Sequence, residues 1–151
     1  MNLRILIIGL GGLGSVLLEL LARSSLSCRL IVGSRNRSHG IACCNLAKLG
    51  AQAQGCDPNI DFTHLDLDDP QATAKTIQSI SPDIIVCTAT RQSWWLPRQL
   101  PAPQASRFKS AGFGLWLPLH LSLPTALMRI LHSADYRGLT LIAPFPDVVN
   151  C

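Results

Sequence analysis

A doubly wound α/β fold, with helices on both faces of a parallel sheet, is what this sequence predicts, and three observations carry that prediction. The chain opens on a nearly continuous apolar run, Leu3-Arg4-Ile5-Leu6-Ile7-Ile8, as expected of a parallel strand buried on both faces. The turn Gly9-Leu10-Gly11-Gly12-Leu13-Gly14 follows at once and leads into a segment with helical apolar spacing. Strand and helix signals then alternate four strands deep through residue 90, which is the grammar of a three-layer α/β/α sandwich.

Each element has its own signal. After the glycine turn, Leu13, Val16, Leu17, Leu20 and Leu21 recur at helical spacing with Glu19 on the polar side, and are the expected buried face. Residues 29–32 form the second strand, ending at Gly33, and residues 41–49 read as a helix stopped by Gly50. A third strand over 62–65 runs into Asp66-Leu67-Asp68-Asp69-Pro70, where Asp69 is the N-cap and Pro70 the first helical residue. That helix should bury Ala74, Ile77 and Ile80 before Ser81-Pro82 breaks it, and residues 83–87 are the fourth strand.

Beyond Thr88 the pattern loosens. Residues 90–106 hold Trp94, Trp95 and prolines at 97, 101 and 103, which predicts a long, partly extended loop, with residues 107–111 returning to the sheet. Ser122 is placed to cap a helix with Pro124 in its first turn, running through Leu127, Ile130 and Leu131. A last short strand covers 139–142. The expectation is one domain over 1–151, with a core at 1–90 and a looser extension at 91–151.

Composition narrows the function classes. Apolar residues make up 48% of the chain and charged residues 15%, the balance of a folded globular domain with a real core. The net charge of +4 is scattered rather than gathered into a basic stripe, which argues against a nucleic-acid surface. The six cysteines contain no Cys-x-x-Cys pair and no histidine at finger spacing, so no metal site is expected and they read as reduced, small core residues. Residues 3–22 are interrupted by four glycines and Glu19, and residues 111–131 carry Pro118, His120, Pro124 and Arg129. Neither suits a membrane span, and a soluble, cytoplasmic protein is expected.

A G-x-G-x-x-G turn is specific only between a buried strand and an amphipathic helix, and here it has both. Gly9 permits the tight turn, Gly11 lets the backbone approach a pyrophosphate, and Gly14 lets the helix pack close to the strand. Gly12 and Leu13 begin the helix, whose free N–H groups and dipole face the anion. The expected ligand is therefore a dinucleotide on a Rossmann-type unit. The end of the second strand sets the choice of cofactor. Units that bind NAD place a carboxylate there for the ribose hydroxyls, whereas this chain has Gly33-Ser34-Arg35-Asn36-Arg37. Ser34, Arg35, Asn36 and Arg37 suit a 2′-phosphate, so NADP is preferred over NAD, with Arg35 also able to lie over the adenine. Arg37 reads equally well as a solvated loop residue. Asp66 and the Leu67 amide end the third strand where the adenine edge should lie, while Asp68 and Asp69 read better as helix-capping residues. Thr88, Ala89 and Thr90 end the fourth strand beside the expected nicotinamide ribose.

On Ile7-Ile8-Gly9-Leu10-Gly11-Gly12-Leu13-Gly14, Gly33-Ser34-Arg35-Asn36, Leu65-Asp66-Leu67-Asp68-Asp69-Pro70 and Pro82-Asp83-Ile84-Ile85-Val86-Cys87-Thr88-Ala89, the chain resembles the NADP-binding domain of the saccharopine dehydrogenase-like oxidoreductases. The resemblance covers residues 1–90 well and the remainder loosely. It implies hydride transfer between a nicotinamide and a carbon–nitrogen bond of an amino-acid-type substrate. It also implies a second, substrate-binding domain, which is not expected within these 151 residues, so the residues carried over are cofactor contacts and the catalytic residues stay unassigned. An enzyme of this kind would need a further domain or partner. A non-catalytic NADP(H)-binding regulatory module, or a fragment that keeps only the fold, is the alternative. A further alternative is a ThiF-like adenylating enzyme, whose nucleotide turn is similar to Gly9-Leu10-Gly11-Gly12-Leu13-Gly14-Ser15. Those enzymes carry an acid at the end of the second strand and often zinc-binding cysteine pairs, which this sequence does not.

The second half carries weaker signals. No acidic residue lies between Asp83 and Asp135, while Arg91, Arg98, Arg107, Lys109 and Arg129 do, a positive stretch suited to a substrate carboxylate or simply to solvent. Trp94 and Trp95 read as a lid or as an apolar patch under a twin subunit, and a homodimer would cover both them and the apolar stretch after Gly112. His64, His120 and His132 have no partner at useful spacing and are not assigned as proton donors.

Overall fold

The structure, a computed structural model, describes residues 3–93, 96–112, 114 and 117–144. Strands β1 (Leu3–Ile8), β2 (Cys28–Ser34), β3 (Asn59–His64), β4 (Ile84–Cys87) and β5 (Leu139–Ile142) form one sheet in the order β3-β2-β1-β4-β5. Every neighbouring pair is parallel. The helices are α1 (Gly12–Ala22), α2 (Arg37–Gln52), α3 (Pro70–Ile80), α4 (Ala102–Ala111) and α5 (Leu117–Ser133), with a 3-10 turn at Leu96–Gln99. The doubly wound α/β plan predicted from the sequence is the one observed.

The apolar run of β1 is explained by its central place, where Ile5 faces Leu30 of β2 on one side and Ile84 of β4 on the other. With a period of two, Ile5 and Ile7 point to one face and pack with Leu18, Ala22, Cys44, Ala47 and Ala51 from α1 and α2. Leu6 and Ile8 point to the other and meet Ile77, Leu127 and Ile130 from α3 and α5. Leu6 and Ile7 both have 0% exposure, so successive residues serve two separate cores. Each such side chain contributes about 1.5–3 kcal/mol of burial.

Helix α1 departs from its predicted face. It turns Gly14, Leu18 and Ala22 to the sheet and leaves Leu13, Val16 and Leu20 at 54%, 55% and 62% exposure, with Leu17 and Leu21 half-buried. The helix is apolar nearly all round, so periodicity could not select a face. Gly14 selects it, because only a residue without a side chain fits against the preceding turn.

Helix α2 begins four residues before the predicted start and runs through Gly50. Asn36 caps it, its Oδ1 accepting the His39 N–H at 3.0 Å. Gly50 serves packing rather than termination, since a Cβ there would stand 2.7 Å from the Arg23 guanidinium. Helix α3 begins as predicted, with Asp69 Oδ1 accepting the Ala72 N–H at 3.0 Å and Pro70 opening the first turn. It buries Thr73 and Ile77, and Ala74 and Ile80 are half-buried.

The predicted loop over 90–106 contains the start of α4, and residues 107–111 stay in that helix rather than returning to the sheet. No residue of α4 is buried, so it has no apolar stripe to read. Helix α5 starts at Leu117, before the predicted Ser122 cap, and carries the buried Pro124 in its interior. Its seam is His120, Leu123, Leu127, Ile130 and Leu131, and Ser122 Oγ instead donates to the Leu119 carbonyl at 3.1 Å. Trp94, Trp95, Phe113, Leu115 and Trp116 lie outside the described residues, and with them the predicted lid or patch. Among the described residues no helix is long and apolar enough to cross a membrane. The described cysteines are all free, and burial pushes the Cys87 thiol up to about 11.

Candidate functional site

In an open parallel sheet the ligand crevice lies beyond the carboxyl ends of the strands, where strand order reverses. That reversal is at β1, whose neighbours are β2 and β4. A cleft of about 350 Å³ opens there, lined by the glycine turn, by Ser34 and Arg35 after β2, by Asp66 and Leu67 after β3, and by residues 88–93 after β4. A second cleft of about 510 Å³ lies at the amino end of the sheet beside Arg4, Asp83 and Tyr136. Its volume is larger, but Arg4 and Asp83 neutralise each other across 3.5 Å, and its lining holds amino ends of strands and no residue of the glycine turn.

The turn is locked from below. Gly9 has φ 97°, a conformation that favours glycine, and its N–H donates to the Gly33 carbonyl at 3.0 Å. A Cβ on Gly9 would stand 2.8 Å from the Ala89 nitrogen, and one on Gly14 would overlap the Gly9 carbonyl oxygen and stand 2.6 Å from Thr88 Oγ1. Thr88 ties β4 to the same turn, its N–H donating to the Ile8 carbonyl and its hydroxyl to the Gly9 carbonyl, both at 2.9 Å. His39 of α2 braces the other side through Nε2–H to the Leu10 carbonyl at 3.2 Å.

From above the turn is open. Added Cβ atoms on Gly11 and Gly12 would meet nothing within 4 Å. Gly11 caps α1 without a side-chain hydrogen bond, and the first turn has no acidic residue. The leading amides and the positive end of the helix dipole are thus left for an anion.

At the opposite end, Arg35 lines the cleft with its side chain 60% exposed and Ser34 lies half-buried beside it. Asn36 and Arg37 do not line it, Asn36 being the cap of α2 and Arg37 its first residue. Asp66 Oδ1 accepts the Asp68 N–H at 3.0 Å, and the Asp66 carbonyl accepts the Thr73 hydroxyl at 2.7 Å. Leu67 is 5% exposed and forms part of the floor. Of the residues predicted from sequence, Gly9, Gly11, Ser34, Arg35, Asp66, Leu67, Thr88, Ala89 and Thr90 meet on one cleft, while Gly12 and Leu13 lie exposed at the helix start and Gly14 is buried beneath it.

Two titratable residues were missed, besides the unpredicted lining residues Gln92, Ser93, Leu96 and Leu123. Arg91 lines the cleft and clamps Asp68 with both terminal nitrogens, NH1 at 2.6 Å from Oδ2 and NH2 against Oδ1. The positive stretch read between Asp83 and Asp135 is therefore compensated at Arg91 by a carboxylate from outside it. Asp68, expected as a helix-capping residue, is the acceptor of this pair, and the clamp holds its carboxyl below the ordinary range. His120 is the other. It lies inside α5, 3% exposed, with Nδ1 at 3.0 Å from Thr90 Oγ1. Contacts 23 and 30 residues apart leave no local sequence signal.

Burial pushes the His120 imidazole below its ordinary value of 6.5, so the unfolded chain binds its proton more readily than the folded one. Stability is expected to fall as the pH drops below about 6.5, the loss becoming complete below the lowered folded-state value. Urea unfolding of the wild type and of His120→Gln at pH 7.5 and pH 5 checks this, the variant losing less stability on acidification. A variant that loses as much as the wild type would place the titration elsewhere.

A lactate dehydrogenase from a Medee basin deep-sea metagenome library aligns over 96% of this chain at 12% identity with a TM-score of 0.60. The minor L-lactate dehydrogenase of Enterococcus mundtii aligns over 98% at 10% identity with a TM-score of 0.62. The fold is a Rossmann fold. This chain spans 38% and 40% of those two proteins, and the identities speak for the fold alone. The L-Glu-forming saccharopine dehydrogenase of Saccharomyces cerevisiae aligns over 99% of this chain and 23% of its own length at 11% identity, with a TM-score of 0.49, too low to bear on family. Comparison with protein-family models finds no match, and none is found among curated protein sequences.

Proposed function

We propose that this chain is the NADP(H)-binding domain of an oxidoreductase of the saccharopine dehydrogenase-like type, acting on an amino-acid-type substrate. The observation that carries the reading is the cleft itself. One end is a helix N-terminus without a side-chain cap above a glycine turn, and the other is Arg35 after β2, with Asp66 and Leu67 after β3 beside it. In this reading the pyrophosphate lies on Gly11, Gly12 and the first amides of α1, and Ser34 and Arg35 take the 2′-phosphate. The adenine lies towards Asp66 and Leu67, and the nicotinamide end towards Ala89 and Thr90. A bound nicotinamide supplies the hydride chemistry. This chain's own residues grip and orient it, and substrate groups come from a further domain or partner.

Calorimetric titration of the chain with NADPH and NADH tests the proposal. Tighter NADPH than NADH is expected, and binding of neither would overturn it. Arg35→Glu is expected to weaken NADPH by about 1.5–3 kcal/mol, the worth of a charge-assisted contact, and NADH far less. Equal weakening of the two would remove Arg35 from the 2′-phosphate.

A further inference from the structure

A carboxylate beside the 2′-position of the adenine ribose decides which cofactor binds, because it accepts hydrogen bonds from ribose hydroxyls and repels a phosphate. The end of β2 has no such group in sequence, but the fold brings one there. Asp68 Oδ2 stands 3.7 Å from Arg35 NH1, close to whatever Arg35 would hold. Left alone, it would engage Arg35 and repel a 2′-phosphate.

Asp68 is not left alone. Arg91, from the β4 end of the cleft, pairs with both of its oxygens, and Arg91 Nε also donates to Ser122 Oγ on α5 at 3.4 Å. The Arg91 guanidinium is thus held from two elements, while Arg35 has one long contact and 60% exposure. The three side chains sum to one positive charge, and Arg35 carries the more exposed share of it.

We infer that Arg91 is a specificity-determining residue of the cleft, which neutralises Asp68 and so frees Arg35 for the 2′-phosphate of NADP(H). The inference rests on the NADP(H) reading proposed above. Arg91 acts through Asp68 rather than on the phosphate, which makes it a positioning residue. Its signature is a change in the ratio of NADPH to NADH affinity, which general loosening of the fold would not produce.

The test is calorimetric titration of the wild type, Arg91→Gln, Asp68→Asn and the double variant with NADPH and NADH, each first shown to be folded by its melting curve. Arg91→Gln is expected to weaken NADPH about tenfold, or about 1.4 kcal/mol, and to leave NADH within about threefold. Adding Asp68→Asn is expected to restore NADPH, since the repelling carboxylate is gone. Asp68→Asn alone should raise the preference for NADPH, and it keeps the inference open to refutation should Arg91→Gln fail to fold. A wild type that prefers NADPH, with a ratio unmoved by Arg91→Gln or lowered by Asp68→Asn, overturns the role of Arg91 and leaves the proposed function standing. A wild type that binds neither cofactor, or prefers NADH, overturns both.

Discussion

Gly14→Ala is expected to destabilise the protein by about 3 kcal/mol and to lower Tm by on the order of 10 °C. Alanine in a helix is ordinarily favoured over glycine, by up to about 1 kcal/mol, so the substitution looks harmless on propensity alone. The site reverses the sign. A Cβ on Gly14 overlaps the Gly9 carbonyl oxygen and comes within 2.6 Å of Thr88 Oγ1. The first of these is backbone and is itself the acceptor of the Thr88 hydroxyl at 2.9 Å, so it cannot swing aside as a flexible side chain would. Either α1 lifts off the sheet, loosening Leu18 and Ala22, or the turn between β1 and α1 is remade. Gly12→Ala is the control, because a Cβ there meets nothing within 4 Å. Thermal unfolding of the two variants should separate them by most of the predicted shift. Equal melting temperatures would mean that the turn yields easily and that Gly14 does not set the position of α1.

Gly11→Val is expected to do the opposite, leaving the fold and removing the ligand. Gly11 has φ −75° and ψ −169°, extended backbone that valine adopts freely, and its Cβ would enter open space. The cost to stability is that of a poorer N-cap, roughly 0.5–1 kcal/mol. That same open space is where a pyrophosphate would meet the first amides of α1. Dinucleotide affinity should fall at least about 100-fold, near 2.8 kcal/mol, with no preference between NADPH and NADH. This is distinct from the Arg35 and Arg91 variants, which act on the ratio. Undiminished binding by Gly11→Val would put the ligand somewhere other than the glycine turn.

These two glycines show how far the sequence reaches. The strand–turn–helix order of residues 3–22, the Asp69-Pro70 start of α3 and the strand at 139–142 were legible because each rests on local physics: apolar runs, caps and backbone conformations needing only a few neighbouring residues. The spacing of the glycines identified the turn for the same reason. The apolar face of α1 was not legible, since Leu13, Val16, Leu17, Leu18, Leu20 and Leu21 offer several equivalent stripes. The choice was made by Gly14 against a carbonyl five residues earlier. Helix α4 was hidden because none of its residues is fully buried, and Gly50 misled because a glycine that makes room for Arg23 looks the same in sequence as one that ends a helix.

By itself, then, the sequence determined the doubly wound plan, the place of the cleft at the end of β1 and the basic residue at the end of β2. Only the tertiary structure decided what surrounds that residue. The Asp68 carboxylate reads as part of a helix start until the fold sets it 3.7 Å from Arg35 and under Arg91. His120 reads as an unpartnered histidine until α5 buries it against Thr90. Charge and hydrogen-bond partners act over a few ångströms in space, whatever their separation along the chain. A pattern read over neighbouring residues can place strands and turns, but the balance of charge in the cleft follows only from which strand ends and helices are brought together.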